Sequence, residues 1–180
     1  MACFVPDSEM NELAVGGSHK RASAWATRYL LSRGEGYAEV DGRAKRAIFD
    51  RIENGDWGAE PRKALRRAPL PTSAFDLVRT EGGVSHAGRL EARTIASMNG
   101  EDFSRLHLIE LKASRLELGQ DLKGQFWSFQ YPEQLAAQAF GVYYEFVFVV
   151  NPKNPVIRKF RWNELWALAR SVHIQFSVSF

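Results

Sequence analysis

Two charged residues, Glu110 and Lys112, interrupt the apolar stretch LHLIELKA over residues 106–113. Side chains two apart on a strand point to the same face, so we expect Glu110 and Lys112 to project together from a buried strand. Burying an acid and a base is costly unless each is paired or bound to a metal ion. The pattern therefore suits a functional site, while the plainer interpretation is a solvent-facing ion pair on an ordinary strand.

A second isolated acid, Asp76, lies in a predicted strand over residues 74–79, with Phe75 and Leu77 expected on the opposite face. If the two strands are adjacent, Asp76, Glu110 and Lys112 converge on one patch. Two carboxylates can hold Mg²⁺, a hard cation that prefers oxygen ligands and keeps several waters. Such a cation lowers the pKa of a bound water and neutralises charge at a phosphate. A nearby lysine can orient that water or stabilise the developing charge, so the trio predicts a magnesium site for phosphate chemistry.

Hydrophobic periodicity predicts the elements that must position this trio. Helices are predicted over 18–33 and 41–54, where apolar residues recur at helical spacing and a glycine follows as a stop. Residues 56–72 contain three prolines and predict a loop with a short basic helix at 62–67. Further strands are predicted over 143–150, 156–160 and 172–180, and further helices near 88–97 and over 132–141 and 163–170. Helices followed by strands mixed with helices indicate an α/β sandwich with a mixed central sheet.

Length and composition narrow the class of protein to which the chain can belong. A chain of 180 residues is about one domain, and we expect a flexible polar arm over 1–17 followed by a single domain over 18–180. The single cysteine, Cys3, excludes an internal disulfide and a zinc site with several cysteines. The sequence has no apolar run near the ~20 residues of a membrane span and no signal-peptide pattern at its start. The expectation is a cytoplasmic protein without a membrane partner.

Basic residues concentrate in one segment of a chain whose net charge is only +3. Residues 43–67 hold eight lysines and arginines against four acids. Such a segment can lie along phosphates, which attract basic side chains whatever the base sequence; a solvated helix face is the alternative. The candidate DNA contacts are Arg43, Lys45, Arg46, Arg62, Lys63, Arg66 and Arg67.

The arrangement FDLVRT … HLIELKAS … YPEQLAAQAFGVYYEFVFVVNP resembles the PD-(D/E)xK nuclease superfamily, which includes many restriction endonucleases. The resemblance covers about residues 74–162 and is nearest to a small branch of domains associated with restriction systems. Those domains also place an I-E-x-K-[AS] strand before a helix with an acid or amide near its start. A further strand and an N-P-type turn follow in them.

This resemblance implies a restriction-endonuclease-like, three-layer α/β/α fold. It further implies that Asp76 and Glu110 are metal ligands and that Lys112 is the catalytic lysine. Several branches carry a supporting Gln or Glu on the following helix, which points to Gln134. Two features depart from the pattern: Phe75 replaces a common proline, and Glu110 follows Asp76 by 34 residues. The long gap leaves Asp102 as a rival first acid.

The function expected from these observations is Mg²⁺-dependent hydrolysis of DNA phosphodiester bonds by a restriction or host-defence endonuclease. A homodimer suits such an enzyme, because two sites then meet two strands. One alternative is a nucleic-acid-binding module that keeps the fold and cuts nothing. Another is a nuclease that acts on RNA or on branched or single-stranded DNA.

Overall fold

A computed structural model describes residues 19–82, 88–114 and 127–168 of the chain. The predicted arm over 1–17 and the predicted last strand over 172–180 lie outside these residues. The helices are α1 (His19–Ser32), α2 (Gly42–Asn54), α3 (Ala59–Arg67), α4 (Ala92–Ser97), α5 (Gly100–Ser104), α6 (Tyr131–Phe140) and α7 (Trp162–Leu168). The strands are β1 (Tyr37–Glu39), β2 (Leu77–Thr80), β3 (Leu106–Ser114), β4 (Tyr144–Val150) and β5 (Val156–Phe160).

The five strands form one open, mixed sheet in the order β1-β2-β3-β4-β5. Neighbouring strands are antiparallel except β3 and β4, which run parallel and are connected through α6. The predicted α/β class with a mixed central sheet is therefore confirmed. The strand that carries Glu110 and Lys112 is the middle strand of the five, and the strand that follows Asp76 is its direct neighbour.

Apolar residues pack on both faces of the sheet. On one face, α2, α3 and α6 supply residues such as Ile48, Leu65 and Phe140 to a large core cluster. On the other face, α1 packs Trp25 and Leu30 against the sheet. β4 is buried along its whole length, as its continuous apolar sequence predicts. Within the described ranges, no helix has the length and apolar character to cross a membrane.

Local sequence explains the boundaries of α2 and α3. Asp41 caps α2, because its carboxylate accepts hydrogen bonds from the amides of Arg43 and Ala44, and Gly55 ends the helix in the left-handed conformation at φ 101°. The short helix predicted at 62–67 is longer than expected and begins at Ala59. Pro61 is compatible with this start because the first turn of a helix has no internal partner for its N–H.

The start of β2 differs from the expected alternation. Phe75 packs in the α2 side of the core, whereas Leu77 packs in the α1 side, so the prediction that they share a face is wrong. The alternation breaks at Asp76. Its backbone N–H donates a hydrogen bond to the Ile109 carbonyl (2.9 Å), whereas the next β3 amide donates to the Asp76 side chain instead of to a backbone carbonyl. The irregular backbone places the Asp76 carboxylate against β3.

β1 has only three residues, which are too few for a periodic signal, so the sequence did not predict this strand. Its approach to β2 depends on Gly36, which has φ +80° and whose carbonyl accepts a hydrogen bond from Thr80 N (3.0 Å). A Cβ at Gly36 would overlap the Thr80 carbonyl oxygen, whereas a Cβ at nearby Gly34, φ +68°, would meet nothing within 4 Å.

We expect Gly36→Ala to lower the free energy of unfolding by about 1–3 kcal/mol more than Gly34→Ala, because the backbone must shift to relieve the overlap. Both substitutions impose a positive φ on alanine, so their difference isolates the steric effect. Urea denaturation of the two variants measures it. Equal losses of stability would contradict the close packing of β1 on β2.

Candidate active site

Asp76 contacts β3 between the two predicted site residues of that strand. Its Oδ2 accepts a hydrogen bond from the backbone amide of Leu111 (3.0 Å), the residue that separates Glu110 from Lys112. Glu110 is 5% exposed, while Asp76 keeps an exposed edge at the end of the sheet where β3 ends and β2 begins. The structure therefore brings Asp76, Glu110 and Lys112 together.

Lys112 lies between two buried carboxylates. Its Nζ donates to Glu110 Oε1 (2.8 Å) and to Glu133 Oε2 (2.7 Å). The same ammonium lies 5.3 Å from the centre of the Phe129 ring, on whose face a cation is attracted. These contacts hold the Lys112 ammonium in one place, and the whole side chain is only 13% exposed.

Glu133 joins the cluster, although no sequence pattern predicted it. It is 4% exposed in the first turn of α6, where its Oε2 also accepts the Gln130 amide (3.0 Å) and completes a reciprocal capping box with the Gln130 side chain. The predicted supporting residue, Gln134, is half-buried on the same helix. In the part of the chain that the structure describes, it is Glu133 and not Gln134 that contacts Lys112.

The carboxylates of this cluster carry shifted pKa values. Burial raises the pKa of Glu110 to about 9, and the negative charge of Asp76 adds to the rise. Loss of solvation beside β3 also raises the pKa of Asp76, although the hydrogen bond from the Leu111 amide and the charge of Lys45 oppose that shift. Two acids that resist ionising together indicate a place where an added cation is favourable.

The pKa values of Lys112 and Lys45 shift in opposite directions. Burial opposes the charged form of Lys112, but the charges of Glu110 and Glu133 outweigh it and raise the pKa of this lysine. Lys45, one of the predicted DNA contacts, is half-buried, and its Nζ donates to the carbonyl of Phe75, the residue before Asp76. Burial lowers the pKa of Lys45 despite the nearby charges of Asp76 and Glu110.

A cavity of about 350 Å³ adjoins the cluster and has Asp76 in its wall. It lies between the first part of α1, the segment after β1 and the start of β2. The residues that line it are Ser23, Thr27, Glu39, Val40, Asp41, Asp76, Leu77, Arg89 and Leu111. Asp76 therefore borders both the buried cluster and this polar space, whereas Glu110, Lys112 and Glu133 do not line it.

The donor set fits a hard divalent cation. Among the described residues, Asp76 Oδ1 and Glu110 Oε2 accept no hydrogen bond from another protein group, so each carboxylate keeps an oxygen available. No group of three or more His, Cys, Asp or Glu side chains suited to a metal occurs in the described ranges. Mg²⁺ usually takes only one or two carboxylates and completes its shell with water and substrate phosphate. The pair Asp76 and Glu110 meets that need.

The predicted DNA-contacting residues divide into two groups. Arg43, Arg46, Lys63, Arg66 and Arg67 are exposed or nearly so on α2 and α3, and Lys63 forms an ion pair with Glu60 (2.8 Å). Arg62 and Lys45 are half-buried. Asp102, the rival first acid, lies on α5 and accepts a hydrogen bond from Asn99 Nδ2 (2.9 Å).

Comparison with known proteins does not assign this arrangement to a family. The chain matches no protein-family model, no curated protein and no solved structure. A functional assignment therefore has to be argued from the cluster of Asp76, Glu110, Lys112 and Glu133.

Proposed function

We propose that this protein is a Mg²⁺-dependent endonuclease that hydrolyses DNA phosphodiester bonds, with a restriction-endonuclease-like fold and a role in restriction or host defence. One observation carries the proposal. The Leu111 amide holds the Asp76 carboxylate against β3 beside Glu110, and Lys112 donates to Glu110 at 2.8 Å. Burial, with the negative charge of Asp76 as a second cause, raises the pKa of Glu110 to about 9. A divalent cation relieves this repulsion, and phosphate chemistry uses such a cation beside a lysine.

Each residue of the cluster has a separate part in the proposed reaction. Asp76 and Glu110 would hold Mg²⁺, which when bound acidifies a water molecule and neutralises charge on the phosphate. Lys112 orients the attacking water and stabilises the negative charge that develops on the phosphate oxygens. Glu133 fixes the Lys112 ammonium and, by capping α6, ties it to a rigid element. Water is the nucleophile, and its attack on phosphorus breaks one P–O ester bond.

The surroundings of the cluster support a polyanionic substrate. The polar cavity on the α1 side of the sheet opens the Asp76 carboxylate to solvent. Exposed arginines on α2 and α3 offer contacts to more distant phosphates, and Lys45 of α2 reaches the segment that carries Asp76. Two copies of the chain acting together would cut both strands of a duplex.

Cation binding tests the site without requiring turnover. We expect the wild-type protein to bind Mn²⁺ in calorimetric titration and Asp76→Asn to weaken binding at least about tenfold, because the loss of one charged oxygen ligand removes half of the carboxylate pair. Asp102→Asn is the matched control and should bind like the wild type. Equal affinity of the Asp76→Asn protein and the wild type would contradict the proposed site.

Salt dependence tests the basic surface. Binding of a DNA duplex in Ca²⁺ should weaken steeply with salt, since phosphate contacts release counterions. Arg66→Glu with Arg67→Glu should weaken binding to all sequences alike and reduce the salt slope by about one for each arginine that no longer reaches a phosphate. Arg28→Glu changes an exposed arginine of α1 on the other face of the sheet and serves as the control. If the control weakens binding as much as the double variant, α3 is only a solvated surface.

A further inference from the structure

Lys45 differs from its neighbours Arg43 and Arg46 on α2, because its ammonium lies against the segment that precedes β2. It follows the cap residue Asp41 by one turn, and its backbone N–H donates to the Asp41 carbonyl (2.9 Å). Its neighbours Arg43 and Arg46 are exposed, whereas the Lys45 side chain is half-buried and points inward. Its Nζ donates to the Phe75 carbonyl and lies 4.8 Å from the centre of the Phe75 ring.

The Phe75 carbonyl belongs to a short segment that is held from several sides. Tyr144 Oη donates to the preceding carbonyl, that of Ala74 (2.5 Å). The Asp76 amide donates to the Ile109 carbonyl (2.9 Å), and the Asp76 carboxylate accepts the Leu111 amide (3.0 Å). Among these contacts Lys45 supplies the positive charge, and this charge acts on both Asp76 and Glu110.

We propose that Lys45 is a positioning residue of the site: it fixes the backbone at Phe75 and thereby holds the Asp76 carboxylate against β3 beside Glu110. The inference rests on the proposed function for its effect on catalysis, while its effect on the Asp76–Leu111 contact is independent of any activity. Lys45 thus belongs to the machinery that orders a metal ligand rather than to the surface that contacts DNA.

Amide hydrogen exchange of the metal-free protein tests the contact directly. In Lys45→Met we expect the Leu111 amide, which donates to Asp76, to exchange at least about tenfold faster, because its acceptor is no longer held. The amides of β4, from Val147 to Val149, should keep their rates and exclude a general loss of stability. Lys153→Met, the same substitution at an exposed turn, is the matched control. Lys45→Gln repeats the test if the methionine variant does not fold.

Kinetics test the consequence for catalysis. Lys45→Met should lower kcat at least about tenfold and change KM for DNA less than threefold, which is the pattern for a residue that acts on the reacting groups. Arg46→Met, on the exposed face of the same helix, should instead raise KM. A Lys45→Met protein that raises KM with unchanged kcat, or that leaves Leu111 exchange at the wild-type rate, would overturn the inference. Faster Leu111 exchange in a protein that cuts no nucleic acid would refute the proposed function and leave the positioning contact intact.

Discussion

Replacing Lys112 by alanine should reduce DNA cleavage at least about a hundredfold, the loss seen when one group that stabilises transition-state charge is removed. DNA binding in Ca²⁺ should stay near the wild-type level, because Asp76 and Glu110, the proposed metal ligands, both remain. Cleavage rates under single-turnover conditions and duplex binding by fluorescence anisotropy measure the two effects. Lys153→Ala, which removes an exposed lysine from the turn before β5, is the control and should change neither.

The same substitution leaves the buried Glu133 carboxylate without the cation that it shares with Glu110, so the Lys112→Ala protein should lose on the order of 3 kcal/mol of stability. Should this variant fail to fold, Lys112→Met combined with Glu133→Gln removes one acid together with the lysine and keeps the cluster balanced. Cleavage by either folded variant at the wild-type rate would mean that the β3 strand does not carry the active centre.

Replacing Glu110 by glutamine should stabilise the metal-free protein at alkaline pH and abolish its response to divalent cations. The pKa of Glu110 is about 9 in the folded protein and near 4.5 ordinarily, so the folded state keeps a proton that the unfolded chain has released. The stability from this group is complete below about pH 4.5 and disappears as the pH rises through about 9. A glutamine at this position cannot ionise, and a gain of about 2 kcal/mol would raise Tm by roughly 4–8 °C.

Thermal melts between pH 5 and pH 9, with and without Mn²⁺, check this prediction. Glu145→Gln is the matched control: Glu145 is also buried, but it pairs with Arg79 (2.9 Å), so its loss should destabilise the protein at pH 9. Mn²⁺ should raise the Tm of the wild type more at pH 9 than at pH 6, because binding must displace the Glu110 proton. A Glu110→Gln protein that melts below the wild type at pH 9 would contradict the assigned charge state.

Much of the fold follows from local sequence, since long periodic segments signal their own structure. The apolar runs of β3 and β4 and the capped, periodic sequence of α2 each predict their element to within a residue or two. The E-x-K spacing likewise predicts that Glu110 and Lys112 project together, and both lie in the same cluster. These features depend on neighbours in the chain.

The missed features depend on contacts between distant residues. Lys45 reaches Phe75 across 30 positions, and no pattern near Lys45 distinguishes it from Arg43 or Arg46. Glu133 had one local signal, the capping box with Gln130, but this signal is weak because glutamine is an unusual cap residue. The family resemblance instead indicated Gln134 as the supporting residue on this helix. The irregular start of β2 arises because the Asp76 side chain replaces a backbone acceptor, which alternation alone does not reveal.

Cleavage of supercoiled plasmid tests the central claim most directly. We predict that the wild-type protein nicks or linearises DNA in Mg²⁺ and not in EDTA. Asp76→Asn should slow the reaction at least about a hundredfold, and Asp102→Asn should cut like the wild type. Single-stranded DNA and RNA in parallel reactions identify the preferred substrate. Cleavage that persists in Asp76→Asn, or no cleavage of any substrate in Mg²⁺ or Mn²⁺ while DNA still binds, would contradict the proposed function, and the second result would make the protein a binding module.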